Sequence, residues 1–353
     1  MRILHVITSL RTGGAEKLMV DLLPRIKAKG HEVDLCVFDG VRTPFYEEIE
    51  RRNVKVIPLG HSVYSLFNIG KLIPLMRGYD IVHTHNTACQ YYVAIANLFV
   101  RTRIFTTEHN TTNRRRNWVW KLLDRWMYRQ YEKIVCISEL TQENLMQHIG
   151  KFFFEKCTII YNGINLERFS VKREQKYECG NHKVVVMVSA FREQKDQKTL
   201  IQAMQWLPDN YTLRLVGGGE ERLISECEDL AKELKVKHRI DFMGVRTDVP
   251  ELLQQADVVV LSSHYEGMSL SSLEGMASGR PFIASDVEGL RDIVGGYGVQ
   301  FPHEDDKTLA YEIRRICEDE SYANNVAEKC QQRAKMFDIE SMTRGYLDLY
   351  QNT

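Results

Sequence analysis

Short apolar runs recur along the chain, and each is followed by a longer stretch whose apolar positions return with helical spacing. The first series falls at 3–7, 33–37, 54–57, 81–83, 104–107, 134–137 and 158–160, with helices expected near 14–29 and 44–52. Runs that are apolar at consecutive positions, separated by helices, are the pattern of a parallel sheet covered on both faces. Residues 162–182 are polar and charged without a period, which predicts an interdomain linker. A second series follows at 183–188, 212–216, 239–242, 258–261 and 282–284, and the chain closes with helices near 306–318, 321–336 and 339–351. The expected organisation is an α/β chain of two doubly wound domains, 1–165 and 183–336, joined by a linker at 166–182. A last helix within 337–353 is expected to pack back on the first domain. Ligands of such sheets bind beyond the carboxyl ends of the strands, so two of them facing one another make a cleft.

Composition narrows this picture. The chain has 353 residues, 44% hydrophobic and 27% charged, as soluble two-domain proteins do. Its 47 basic and 47 acidic side chains cancel, but unevenly. Residues 1–165 hold 23 basic and 15 acidic side chains, a net of +8; residues 166–353 hold 24 and 32, a net of −8. The eight cysteines are never closer than 13 positions, so they lack the spacing of a zinc or redox pair and read as buried thiols of a reducing cytoplasm. The first residues read as a strand, not a signal peptide, and no apolar run approaches the ~18–20 residues that span a bilayer. The longest, 91–100, reads as a buried helix. Any membrane attachment is expected to be peripheral.

Two stretches carry chemistry. The first predicted strand runs into Gly13-Gly14-Ala15-Glu16 and then a helix. Paired glycines admit a close backbone approach, and a helix N-terminus favours anions. No G-x-G-x-x-G or Walker pattern is present. The second stretch is 261–274, where a strand ends and a helix begins near Ser269. Glu266 lies in the loop and Glu274 about one turn into the helix, so the two carboxylates can reach different hydroxyls of one extended polyhydroxy ligand. The N–H groups of Met268, Ser269 and Leu270, at the expected start of the helix, can hold phosphate oxygens between them.

Glu266-x7-Glu274, followed by Gly275-Met276-Ala277-Ser278-Gly279-Arg280-Pro281 and Asp286-Val287-Glu288-Gly289, resembles the donor-site signature of the family-4 retaining glycosyltransferases of GT-B fold. The likeness extends over nearly the whole chain. It includes Gly13-Gly14-Ala15-Glu16, Asp80-Ile81-Val82-His83-Thr84-His85, Thr107-Glu108-His109-Asn110, Ile137-Ser138-Glu139, Asn162-Gly163-Ile164, Val216-Gly217-Gly218-Gly219-Glu220 and Asp257. The resemblance implies two Rossmann-like domains facing across a cleft, the first for the acceptor and the second for the nucleotide sugar. It implies that Glu274 binds the ribose, that Glu266 lies beside the transferred sugar, and that Gly13 and Gly14 approach the diphosphate or the sugar. It places Gly217, Gly267, Met268, Ser269 and Leu270 in the donor site. His109 occupies the family position close to the reaction centre, so His109 and Glu266 are the catalytic candidates. His83 and His85 rank behind them, as wall.

One departure concerns the diphosphate. Lys195 fits the family's phosphate-binding lysine, but Ala190 stands where an arginine is usual, and Arg192, two residues on, is expected to replace it. Asp292 stands where glutamate is more frequent. The implied activity moves a hexose or N-acetylhexosamine, with retention, from a nucleoside diphosphate to a glycan or lipid-linked acceptor in cell-surface polysaccharide or glycolipid synthesis. A UDP-sugar is favoured over a GDP-sugar. No D-x-D metal motif stands out, so neither a metal nor another cofactor is expected. The alternative is a nucleotide-sugar 2-epimerase, which shares the two-domain fold. A dehydrogenase lacks its glycine fingerprint, and no nucleic-acid-binding module is present.

Finally, residues 114–133 hold seven basic and two acidic side chains. They read as a helix whose core-facing positions are Val119, Leu122, Leu123, Trp126 and Met127. Arg114, Arg115, Arg116, Trp118 and Lys121 have the composition of a surface that binds anionic membrane. The expected location is cytoplasmic, with any attachment peripheral and on the inner face of the cytoplasmic membrane.

Overall fold

The computed structural model describes residues 1–11, 13–60, 62–109, 118–169 and 181–353. The chain divides into two units. One comprises Met1–Gly163 with Ile339–Thr353, the other Ile164–Asp338.

Among the described residues the first unit holds a seven-stranded sheet: β1 (Arg2–Ile7), β2 (Glu32–Val37), β3 (Lys55–Pro58), β4 (Ile81–Thr84), β5 (Arg103–Glu108), β6 (Lys133–Cys136) and β7 (Cys157–Ile159). The spatial order is β3-β2-β1-β4-β5-β6-β7, and every pairing is parallel. Helices cover both faces, which is why β1 and β4 are buried at successive positions instead of alternating. The strand order reverses between β1 and β4, where His5 lies opposite His83. The C-terminal helix Ile339–Asn352 belongs to this unit. It buries Tyr346 and Tyr350, and Arg25 pairs with its Glu340 at 3.1 Å.

The second unit repeats the plan with β8 (Lys183–Val188), β9 (Tyr211–Val216), β10 (Ile240–Gly244), β11 (Val258–Leu261), β12 (Phe282–Ser285) and β13 (Val299–Phe301). The order is β10-β9-β8-β11-β12-β13, again parallel throughout, with the reversal between β8 and β11. In both sheets the carboxyl ends at the reversal lead into the stretches singled out by sequence.

Three expectations about elements change. Within the expected linker, Leu166–Phe169 is a short helix with Phe169 buried, while 170–180 lie outside the described residues. The helix Thr87–Val100, expected to be buried, hides one face through Cys89, Val93, Ala94 and Ala96 but exposes Leu98 and Phe99. Of the five expected core positions on the helix Trp118–Gln130, Met127 is buried and Trp126 packs half-buried against the core, but Val119, Leu122 and Leu123 are 44, 54 and 42% exposed. Asp124 and Tyr128 are buried in their place, so the inward face is rotated from the expected phase. Polar anchors set that phase. Asp124 accepts from Tyr91 Oη and lies 2.7 Å from His148 Nε2, and Tyr128 Oη donates to Glu108 at 2.6 Å. A buried carboxylate must keep such partners, so the helix turns Asp124 inward and leaves Val119, Leu122 and Leu123 outside. Arg114, Arg115 and Arg116 lie outside the described residues.

Candidate active site

Loops 189–196 and 262–269 leave β8 and β11 side by side and are tied together. Ser262 Oγ donates to Asp196 O at 2.7 Å, and the His264 amide donates to Gln194 O at 2.8 Å. This frame holds Glu266, which is 4% exposed. Lys195 Nζ donates to its Oε1 at 2.6 Å, Ser263 Oγ donates to the same oxygen at 2.6 Å, and Gln194 Nε2 reaches Oε2 at 3.3 Å. A charge taken out of water needs this kind of satisfaction. Glycine makes the close approaches possible. Gly289 has φ +81°, and a Cβ there would stand 2.1 Å from Glu266 O; at Gly217 it would stand 2.0 Å from Ser189 O.

The loop carrying Gly267 and Met268 ends in the helix Leu270–Ala277, capped by Ser269, whose hydroxyl accepts from the Ser272 amide at 3.4 Å. The amides of Leu270 and Ser271 open its first turn and have no intrahelical acceptor, which makes that end an anion seat. Glu274 sits on the same helix, 9% exposed. The structure thus joins Glu266 with Lys195 and puts Glu274 on the helix that follows. Arg192 is exposed and has no ion pair among the described residues, so it is not built into this frame.

In the first unit, Gly13 is the extended N-cap of the helix Gly14–Ala28 and supplies no side-chain cap. Nothing stands within 4 Å of a Cβ placed on Gly14, so the chain there is open to approach. Beside this turn the sheet buries a histidine cluster. His5 Nδ1 and His85 Nε2 are 2.8 Å apart, and His85 Nδ1 and His109 Nε2 are 3.1 Å apart. His83 bridges Thr107 Oγ1 at 2.7 Å and Tyr350 Oη at 2.8 Å. Desolvation by burial lowers every one of these imidazoles, His5 to about 3, His109 to about 4, and His83 and His85 well below the ordinary value. The neighbouring imidazoles push His83 and His85 further in the same direction. All four are neutral at pH 7.

Several residues of these clusters escape sequence reading. Gln194 and Ser263 carry no motif of their own, although both flank residues that do. His5 is masked by its setting in an apolar strand, and Tyr346 and Tyr350 come from the far end of the chain. Asp196, His264 and His303 bring ligand atoms within 4.8 Å of one another, though Asp196 already caps the helix Gln197–Ala203.

Comparison with known proteins gives these clusters a context. The model of the glycosyl transferases group 1 matches residues 169–335, and that of glycosyltransferase family 4 matches residues 12–168. The N,N'-diacetylbacillosaminyl-diphospho-undecaprenol alpha-1,3-N-acetylgalactosaminyltransferase of Campylobacter jejuni is 29% identical over 229 residues, 62% of this chain and 60% of that protein. The UDP-Gal:alpha-D-GlcNAc-diphosphoundecaprenol alpha-1,3-galactosyltransferase of Escherichia coli is 25% identical over 317 residues, 82% of this chain and 80% of that protein. Among solved structures, Anabaena HepE in complex with UDP and glucose superposes with a TM-score of 0.89 at 21% identity, over the whole of both chains. With two parallel sheets wound as in the GT-B structures and two consecutive models that together span residues 12–335, the chain belongs to the family-4 glycosyltransferases.

Proposed function

We propose that this glycosyltransferase moves a hexose or N-acetylhexosamine, with retention of configuration, from a nucleoside diphosphate to a lipid-linked or glycan acceptor. The observation that carries the reading is Glu266. It is a buried carboxylate at the strand reversal of the second sheet, fixed by Lys195 and Ser263 and followed by an open helix N-terminus and by Glu274. A nucleotide sugar needs these parts. Glu274 takes the ribose hydroxyls, Lys195 and the amides of Ser269 and Leu270 take the diphosphate, and Glu266 takes a sugar hydroxyl. Gly267, Met268 and Gly217 let the backbone come close to the donor, and Gly13 and Gly14 serve the same purpose in the first unit. Lys195 keeps two further N–H donors when one is given to Glu266. As the leaving group departs, its growing charge meets donors already in place. Exposed Arg192 adds a second cation from the loop.

The UDP named with Anabaena HepE and the diphospho-undecaprenol acceptors named for the relatives support a UDP-sugar and a polyprenyl-diphosphate acceptor. His109 acts on the transferred sugar. The acceptor's proton leaves with the departing phosphate oxygen, so no protein carboxylate is needed as nucleophile. The test is incubation of UDP-hexoses and UDP-N-acetylhexosamines with polyprenyl-diphosphate-linked saccharides. The expected product is an α-linked extended lipid together with UDP. An inverted linkage removes the retaining mechanism, and an epimerised nucleotide sugar formed without acceptor identifies an isomerase instead.

The partner of the first unit is, by the same proposal, an anionic membrane surface at the cytoplasmic face. The helix Trp118–Gln130 exposes Trp118, Val119, Leu122 and Leu123, and the adjoining turn Lys151–Lys156 exposes Phe152 and Phe154. Lys121 stands on that helix, and Arg114, Arg115 and Arg116 precede it in the chain. Apolar side chains among cations are what an interfacial footing requires.

A further inference from the structure

His5, His85 and His109 form a hydrogen-bonded row, and counting its protons decides how His109 meets a substrate. The three rings are neutral, so each carries one N–H. The contact between His5 Nδ1 and His85 Nε2, and that between His85 Nδ1 and His109 Nε2, each need one donor and one acceptor. If His85 is protonated on Nδ1, then His5 must supply Nδ1–H, and His109 must leave Nε2 bare and carry its proton on Nδ1. If His85 is protonated on Nε2, the other two follow, and every ring is protonated on Nε2. No mixed arrangement satisfies both contacts.

The inner end of the row separates the two. His5 is fully buried, and its Nε2 has no hydrogen-bond partner among the described residues. Protonation on Nε2 throughout would strand an N–H donor there. Protonation on Nδ1 throughout leaves only a bare lone pair. A buried orphaned N–H is the rarer and more costly of the two defects. His83 does not interfere, because its nitrogens are taken up by the hydroxyls of Thr107 and Tyr350, which rotate to suit either tautomer.

We infer that His5 and His85 are positioning residues that lock His109 in the Nδ1–H tautomer, so that His109 meets the sugar as a hydrogen-bond donor and not as a base. His109 Nδ1 carries no hydrogen bond among the described residues and is the nitrogen left for a ligand. The inference rests on the proposed role of His109 at the transferred sugar and sharpens it. A donor to a sugar oxygen orients and polarises the substrate but cannot take the acceptor's proton, which fits the proposed departure of that proton with the phosphate oxygen.

The test begins with the unaltered protein labelled with ¹⁵N in its histidines. Long-range ¹H–¹⁵N correlation at neutral pH is expected to show His109 with a protonated Nδ1 and a bare Nε2, its signals identified by their loss in His109→Gln. A bare Nδ1 with a protonated Nε2 overturns the inference. Two substitutions then separate positioning from packing. His85→Asn keeps an amide N–H near the place of Nδ1; His85→Leu does not. His85→Leu is expected to release His109 into mixed tautomers and to lower kcat by on the order of tenfold to a hundredfold, with the donor KM little changed. His85→Asn is expected to hold both the tautomer and kcat within about threefold of wild type, as a retained hydrogen bond should. Equal loss in both variants without any tautomer change overturns the positioning role. Full turnover by His109→Ala would instead remove the proposed role of His109 at the sugar while leaving the measured tautomer intact.

Discussion

His5, His83 and His85 are imidazoles enclosed by apolar strands, and their proton affinity is a consequence of that enclosure. Unfolded, each titrates near 6.5; folded, burial depresses each, His5 to about 3. Below about pH 6.5 the unfolded chain binds protons that the native one refuses, so stability falls with pH. Each histidine adds about 1.4 kcal/mol per pH unit to that fall. None of this loss is expected above about pH 7.5, where both states are neutral. The urea midpoint should therefore drop steeply between about pH 7 and about pH 5, and His5→Phe should remove roughly one proton from the slope. An unchanged slope in the variant would show that His5 is not held neutral by the fold. Sequence made part of this legible. His109, His83 and His85 end strands and fall in recognisable motifs, so they could be named. His5 could not, because a polar residue inside an apolar strand declares its partners only when β1 and β4 are brought into register.

At the scale of elements, the alternation of apolar runs and helices was enough to place twelve of the strands near their observed positions. The strand at Val299–Phe301 escapes because Gln300 interrupts its apolar run and Gly295, Gly296 and Gly298 precede it. The phase of Trp118–Gln130 was illegible for a related reason. Hydrophobic spacing alone orients a helix by its apolar stripe, and here buried Asp124 outweighs that stripe through His148 and Tyr91. The C-terminal helix shows the same principle at long range. Its Tyr350 hydroxyl meets His83 Nδ1 at 2.8 Å, and its Tyr346 hydroxyl meets Thr107 Oγ1 at 3.0 Å, both deep in the first sheet. Tyr350→Phe keeps the ring and leaves His83 Nδ1 without that partner. It is expected to cost about 1–3 kcal/mol of stability, read as a lowered urea midpoint, with the far-ultraviolet circular dichroism unchanged. A midpoint equal to that of wild type would show that the hydroxyl contributes nothing to holding the helix.

At the scale of the whole molecule, a net charge of zero is the sum of a basic first half and an acidic second half. Seven of the 23 basic side chains in residues 1–165 fall within 114–133, where the described helix also turns tryptophan and leucine outward. Exposed apolar side chains of this size are more than a solvated helix face carries, and in sequence they fall within or next to the densest run of positive charge. If this surface rests on anionic lipid, two contributions should separate by salt. The electrostatic part, about 1 kcal/mol for each nearby cation, fades as ions screen it, whereas the apolar part persists. Wild-type protein is therefore expected to float with vesicles containing anionic lipid and less with zwitterionic ones, and to lose much of its binding at about 0.5 M salt. Reversing Arg114, Arg115 and Arg116 to glutamate should abolish flotation. Trp118→Ala combined with Leu122→Ala should weaken it even at low salt, because a substitution that leaves every cation in place removes only the apolar share. Failure of the wild type to float with anionic vesicles at low salt would remove the membrane from the list of partners, leaving the charge asymmetry of the chain to be explained by the acceptor alone.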